Sequence, residues 1–452
     1  MRTRYWNLRV VGRDDDTLPA ELIVEDGRIA AVLAAGTETA TGDEDWVDLH
    51  GGLVLPGVID LGVRVTHPHR ESLASATAAA AAGGVTCMLR LPSDESAVAD
   101  DRAGIERDVR AAETDARIDM VLATPPPHGP DWRRRLETRQ RAGAGVMEVV
   151  PTARDVDGRG LPELLAGATT LDMPVVARPR PVDLVRTLDE RARDGEGDAL
   201  DRWAAARPAA LEATAATRLV EACRASRARV HVHAVSCAEA LDVLSAARLE
   251  GLPLTAATCP HYLAFTLDDL LESGSRLLTD PVLRSPADRE RLWQGLTSGE
   301  VDAVASDHDP PRWPDERTTG SPWTDRPGLS GVELLLPFLL TAAVRDRRLT
   351  LERLVRLTSY APATVLGLSH RKGRLAPGLD ADFTVVDELQ GWTVHAHALH
   401  GLQRTTPLEG RSLVGRVHAT YLRGRCVFRR DPDGTETIGS SGVGRLMVPR
   451  FR

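Results

Sequence analysis

The run Ser306-Asp307-His308-Asp309-Pro310-Pro311 sets two carboxylates and an imidazole side by side ahead of a proline-stiffened loop. Those are the side-chain types that move protons in acid/base catalysis. An aspartate in such a loop also commonly just turns it, so both readings stand for Asp309, while Asp307 and His308 are the catalytic candidates. Two His-x-His pairs, His67/His69 and His231/His233, carry imidazoles that could ligate a metal together with Asp307. The five cysteines (Cys87, Cys223, Cys237, Cys259, Cys426) show no CxxC spacing and no neighbouring base. Cys237 and Cys259 read as small buried hydrophobes, not nucleophiles, and the five together form no disulfide framework, which fits a reducing, cytoplasmic setting.

The elements that must position these groups are legible as a pattern. Gly51 to Arg70 contains a glycine turn, Pro56-Gly57, and a buried strand from Val58 to Val65. Strict alternation puts Ile59, Leu61, Val63 and Val65 on one face, expected to meet helices, and Asp60, Gly62, Arg64 and Thr66 on the other, expected to face a lumen. Downstream, helix and strand patterns alternate as far as the strand Val301 to Ser306, with strands read at Pro174–Arg178 and Arg229–Ser236. That alternation predicts a (β/α)8 barrel with chemistry at the C-terminal strand ends. Both chain ends read as short strands instead. Residues 1–54 and 370–452 are expected to form one small composite β-sandwich with a tail, flanking a barrel over 55–369.

Composition narrows the function classes. The chain has 452 residues, 42% of them hydrophobic, and a formal net charge of −9. An acidic balance with dispersed arginines argues against a nucleic-acid partner. No apolar run approaches membrane-spanning length, and the start lacks a secretory apolar core. Lys372 is the only lysine.

Several runs carry a resemblance: Ala79 to Thr86 (AAAAGGVT), Thr255 to Leu263 (TAATCPHYL), Ser306 to Pro311 (SDHDPP), Gly328 to Pro337 (GLSGVELLLP), Gly373 to Asp382 (GRLAPGLDAD) and Thr406 to Gly424. Together they resemble the amidohydrolase superfamily, in the branch of dihydroorotases, allantoinases and hydantoinases. The resemblance covers nearly the whole chain. It implies a metal-assisted hydrolysis of cyclic amides or ureides, with zinc as the usual metal. It also implies a metal site that this chain does not reproduce. The two first-strand histidines fall on Gly62 and Arg64. The lysine that is carbamylated in many relatives falls on Glu148. Two further histidines fall on Arg178 and Ala234. Only the rim aspartate persists, as Asp307. The substrate-side asparagines fall on Ser93 and Asp280, and a substrate arginine falls on Thr66.

Arginine, glycine and alanine supply no metal donor, so the expectation is a site without metal. In it Arg64 and Arg178 would pair with Glu148 and Asp307. Three functions follow from this. One is a non-hydrolytic scaffold or regulator of a partner enzyme. The second is a metal-independent catalyst or binder for an anionic cyclic amide or ureide, using Asp307, His308 and Glu148 with Arg64, Arg178, Ser93 and Asp280. The third is a zinc enzyme with ligands relocated to His67/His69 or His231/His233. Because position 234 is the family's ligand position, alternation turns His231 and His233 towards the helices. His261 is expected to be packed in the core, and His395, His397, His400 and His418 to have no role. Homo-oligomerisation is what the resemblance implies.

Overall fold

Both chain ends alternate apolar and polar residues, and together they build a single sheet. In the computed structural model, residues 2–12, 16–37, 44–65, 70–92, 102–151, 158–312, 314–317 and 319–451 are described. The N-terminal strands are β1 (Arg2–Val11), β2 (Thr17–Glu25), β3 (Arg28–Ala34) and β4 (Asp45–Pro56). The β2–β3 turn has Asp26 at φ 49° and Gly27 at φ 79°, the paired left-handed conformation of a tight hairpin. The barrel strands are β5 (Val58–Arg64), β6 (Val85–Leu91), β7 (Asp119–Thr124), β8 (Ala144–Val149), β9 (Val175–Ala177), β10 (Val230–Val232), β11 (Leu254–Thr258) and β12 (Ala303–Val304). The chain then returns through β13 (Phe383–Thr393), β14 (Ser412–Leu422), β15 (Arg425–Arg430) and β16 (Glu436–Ile438).

The end sheet runs β16-β15-β14-β13-β4-β1-β2-β3. The composite β domain expected from both chain ends is thus present, its strands hydrogen-bonded in one order around a core of their own. Tyr5 of β1 sits edge-on to Phe383 and Tyr421, which stack on each other at 4.5 Å between centroids. The Tyr5 hydroxyl donates to the Gly424 carbonyl at 2.6 Å, so one aromatic cluster fastens the two ends of the chain.

The barrel strands are parallel and ordered β5 to β12. Its seam is closed next to the candidate site. Arg64 N–H donates to the His308 carbonyl at 2.8 Å, and His308 N–H to the Gly62 carbonyl at 3.0 Å. The Asp60 carboxylate accepts from Ser306 N–H at 3.0 Å and Gly62 N–H at 3.1 Å.

The lumen is apolar in its middle. Ile59, Leu61, Cys87, Leu89, Val121, Val146, Val176, Ala257 and Ala303 come from successive strands and pack on one another. This corrects the expected faces of β5. Ile59 and Leu61 point into the lumen, not towards the helices. The β5–β6 register then slips between Asp60 and Val63, so Val63 turns outward and Arg64 inward. One extra residue in a strand reverses every face beyond it.

The lower end of the lumen is plugged by ions. Lys372 is buried against Asp119 of β7 at 2.7 Å and also binds Asp382, with Asp380 at 3.6 Å. Arg423 reaches Asp119 at 2.6 Å. The tail leaves the end sheet and bonds to the barrel: Met447 N–H donates to the Met120 carbonyl at 2.7 Å, and the Met447 side chain joins the lumen core. Helices at Val182–Arg193 and Ala199–Ala205 occupy a stretch where the sequence pattern gave no element. No helix among the described residues is long and apolar enough to cross a membrane.

Candidate functional site

Arg64 ends β5, Glu148 lies in β8, Arg178 follows β9, His233 follows β10, Cys259 follows β11 and Asp307 follows β12. All six therefore gather at the C-terminal mouth of the barrel, where parallel strands deliver loop residues to a common point.

The mouth holds two buried ion pairs. Arg64 reaches Glu148 through Nη2, with side chains 7% and 8% exposed, and donates Nη1 to the Pro92 carbonyl. Arg178 Nη2 lies 2.6 Å from Asp307 Oδ1, and its Nη1 donates to the Asp280 carbonyl at 3.0 Å. Burial alone would lower both guanidinium pKa values. The Glu148 and Asp307 carboxylates outweigh it and raise them. For Asp307 burial favours the neutral acid. Arg178 and the hydrogen bond with His233 oppose that and hold the carboxyl far below the usual carboxylate range.

His233 corrects the sequence reading. Register places His231 beside Val176 and Thr255, on the lumen side, and His233 continues on that side. Ala234 then turns away at φ 59°. Alternation counted back from position 234 fails because the strand ends at Val232. His233 Nε2 lies 3.2 Å from Asp307 Oδ1. Its ring occupies the space of the missing residue-62 side chain: a Cβ on Gly62 would come 2.2 Å from His233 Cε1. The glycine and the imidazole are thus complementary. His231 sits deeper, with Nδ1 at 2.9 Å from Thr255 Oγ1, and burial pushes its pKa down to about 3.

The other candidates scatter. His308 is buried with Nδ1 accepting from Gly331 N–H at 3.2 Å, and its Nε2 faces buried Glu71 at 3.5 Å. Through Nδ1 that ring braces the loop after β12. The Asp309 carboxylate is held by Arg326 at 3.2 Å. Asp280 pairs through its carboxylate with Arg180 at 2.8 Å. His261 is packed edge-on against Tyr262 at 4.2 Å, and burial lowers its pKa to about 4. Thr66, His67, His69 and Ser93 lie outside the described residues.

His233, Cys259 and Asp307 offer ligand atoms that all lie within 4.8 Å of one another. Sequence reasoning passed over Cys259 because no base neighbours it in the chain; only the fold brings His233 and Asp307 to it. Cysteine, histidine and carboxylate are zinc-competent donors. Two features work against a divalent ion at this spot. Asp307 Oδ1 already serves Arg178 and His233. A guanidinium ~4 Å from a dication would repel it by about 8 kcal/mol at an effective dielectric of about 20.

A second histidine expected to be idle is also engaged. His400 lies between Glu333 at 2.9 Å and Glu436 at 3.0 Å, joining the barrel to β16. Burial opposes its charge, but the two carboxylates raise its pKa to about 9.

Comparison with known proteins places this geometry among relatives. Residues 53–427 match the profile of the Amidohydrolase family. The chain is 32% identical to an allantoinase of Rubrobacter xylanophilus over 442 residues, covering 95% of this chain and 94% of that protein. It is also 32% identical to an allantoinase of Streptomyces avermitilis, covering 94% and 95%. Among solved structures, D-hydantoinase from Bacillus sp. AR9 superposes with a TM-score of 0.90 at 25% identity, covering 100% of this chain and 99% of that one. Dihydropyrimidinase from Brevibacillus agri gives a TM-score of 0.88 at 26% identity, covering 99% and 98%.

Proposed function

This chain belongs to the amidohydrolase family, and from that premise we propose that it is a member that does not hydrolyse cyclic amides and serves as a scaffold or regulator of a partner enzyme. The kinship is with allantoinases and hydantoinases, hydrolases of cyclic amides. The resemblance sets two of the family's metal-ligand positions at Arg64 and Arg178, and each guanidinium is paired with a carboxylate of the chain itself.

The observation that carries the reading is the state of Asp307. A shuttle base works best with a pKa near the working pH. A carboxylate clamped at 2.6 Å by Arg178 is held far below that range and accepts protons poorly. On this reading the arginine-filled mouth would take up no water-activating metal, and hydrolysis would then lack both its nucleophile source and its proton carrier. Both arginines are already paired with a carboxylate, so an anionic substrate would have to compete with an internal partner to bind.

The test is to purify the protein with zinc present, count bound metal, and assay allantoin, hydantoin and dihydroorotate. The expected result is substoichiometric metal and no turnover above a heat-denatured control. One tightly held zinc with chelator-sensitive ring opening would overturn the proposal. The His233–Cys259–Asp307 cluster supports a second reading, a relocated single-metal site. Under it, Cys259→Ser and His233→Ala would each abolish zinc uptake, while Glu148→Gln would leave it intact.

A further inference from the structure

Away from the mouth, a cavity of about 810 Å³ lies between the end sheet and the barrel. That volume falls within the ~300–1,000 Å³ span of small-molecule sites. Its two walls differ in chemistry. One is apolar and comes from the end sheet, with Val10 of β1, Val32 of β3 and Val54 of β4. The other comes from the chain between Arg347 and Tyr360 and from Arg374, and is dominated by guanidinium groups. Glu352 is the single carboxylate in the lining.

Elsewhere in this chain arginines are commonly matched with acids. Arg348 in this lining follows that habit, reaching Glu290. Arg356 and Arg374 do not: among the described residues neither has a carboxylate within ion-pair reach, and both lie over the Tyr360 ring, at 5.4 Å and 4.1 Å from its centroid. Arg353 is anchored by the Leu296 and Val301 carbonyls, at 2.5 Å and 2.8 Å, which hold its position without cancelling its charge. Burial first, and then the neighbouring Arg356, pull its pKa below the ordinary value. Arg356 and Tyr360 are the first and last residues of a π-helical turn, a local distortion that recurs at functional sites. The turn is tied to the end sheet by Ser359, whose hydroxyl donates to the Pro56 carbonyl of β4 at 3.1 Å.

We propose that this cavity binds a small anion with an apolar body, such as an aliphatic carboxylate, its head between Arg356 and Arg374 and its body against Val10, Val32 and Val54. Charge complementarity sets the head, since guanidinium forks without internal partners suit a carboxylate or phosphate. The apolar wall sets the body, since a bare ion would leave it wet. A ligand seated there touches both the end sheet and the barrel and stiffens their junction. The inference is independent of whatever the mouth does.

The experiment uses the full chain and decanoate, decanol and inorganic phosphate as probes, read by calorimetry and by the melting temperature. Decanoate is expected to bind and raise the melting temperature, with decanol and phosphate each weaker by about tenfold or more, because each lacks one half of the match. In Arg356→Gln/Arg374→Gln the decanoate affinity is expected to fall by about tenfold or more, with the circular dichroism spectrum unchanged. Val32→Trp, which fills the apolar wall, is expected to do the same with both arginines in place. Undetectable decanoate binding, equal binding of decanol, or unchanged affinity in both variants would overturn the proposal.

Discussion

Replacing Arg178 by methionine tests the pairing at the mouth most directly. The guanidinium lies 2.6 Å from Asp307 Oδ1, and the two side chains are 13% and 11% exposed. Coulomb attraction at that distance is about 6 kcal/mol at an effective dielectric of about 20. Desolvation of two ions offsets most of it, so the intact pair adds little net stability. Truncating one partner is different. It leaves a buried carboxylate with only His233 nearby, and such losses run to about 3–5 kcal/mol. Arg178→Met should therefore cost about that much at pH 7 in denaturant unfolding, while the double variant Arg178→Met/Asp307→Leu recovers most of it.

The pH dependence has a definite sign. In the parent, Asp307 is depressed below its unfolded value, so its stabilising contribution is present above the ordinary carboxylate range and is lost only under strong acid. In the variant, burial without Arg178 raises the carboxyl. The deficit should then be largest near neutrality and shrink as pH falls towards about 4, where Asp307 takes up a proton. A deficit below about 1 kcal/mol, or one independent of pH, would mean that the pair behaves as an exposed contact, and the account of the mouth would fail.

Other consequences are open to the same kind of measurement. Gly62→Ala puts a Cβ 2.2 Å from His233 Cε1 and should lower stability by about 1–3 kcal/mol, read as a fall in denaturation midpoint. The clash should largely vanish in Gly62→Ala/His233→Ala. Lys372→Met leaves buried Asp382 without its cation, while Asp119 keeps Arg423, and should cost about 3–5 kcal/mol or prevent soluble expression. His400, with a folded-state pKa of about 9 against an ordinary 6.5, stabilises fully below the latter value and loses that contribution as pH rises through the former. His400→Gln should therefore cost about 2 kcal/mol at pH 6, allowing for solvent screening, and almost nothing above about pH 10.

The barrel was legible because apolar strands and helices alternate at their own periods, and the end sheet because both termini carry short strand patterns. The positions of Arg64, Glu148, Arg178 and Asp307 were legible because surrounding motifs fix where each strand ends, so their charges could be matched before any geometry was known. What escaped the sequence was parity. Val, Leu and Ile fill the lumen as readily as they face helices, so composition cannot tell the two faces of β5 apart. The register slip between Asp60 and Val63 then exchanges them. The same weakness misplaced His231 and His233, because β10 stops at Val232 and the expected alternation was counted from a residue beyond its end. His308 looked like a proton carrier because it neighbours Asp307 in the chain; its bonds to the Gly331–Val332 backbone are contacts that no local pattern encodes.

The ion cluster that plugs the lower lumen also determines what reagents can reach. Lys372 is the one lysine in the sequence, and its side chain is 1% exposed. The folded surface consequently presents no ε-amine at all among its many guanidinium groups. Reagents and enzymes that act on lysine ε-amines, including those that build isopeptide links, find no target until Lys372 is uncovered. Acquisition of a label at Lys372 would thus report unfolding of the native state itself.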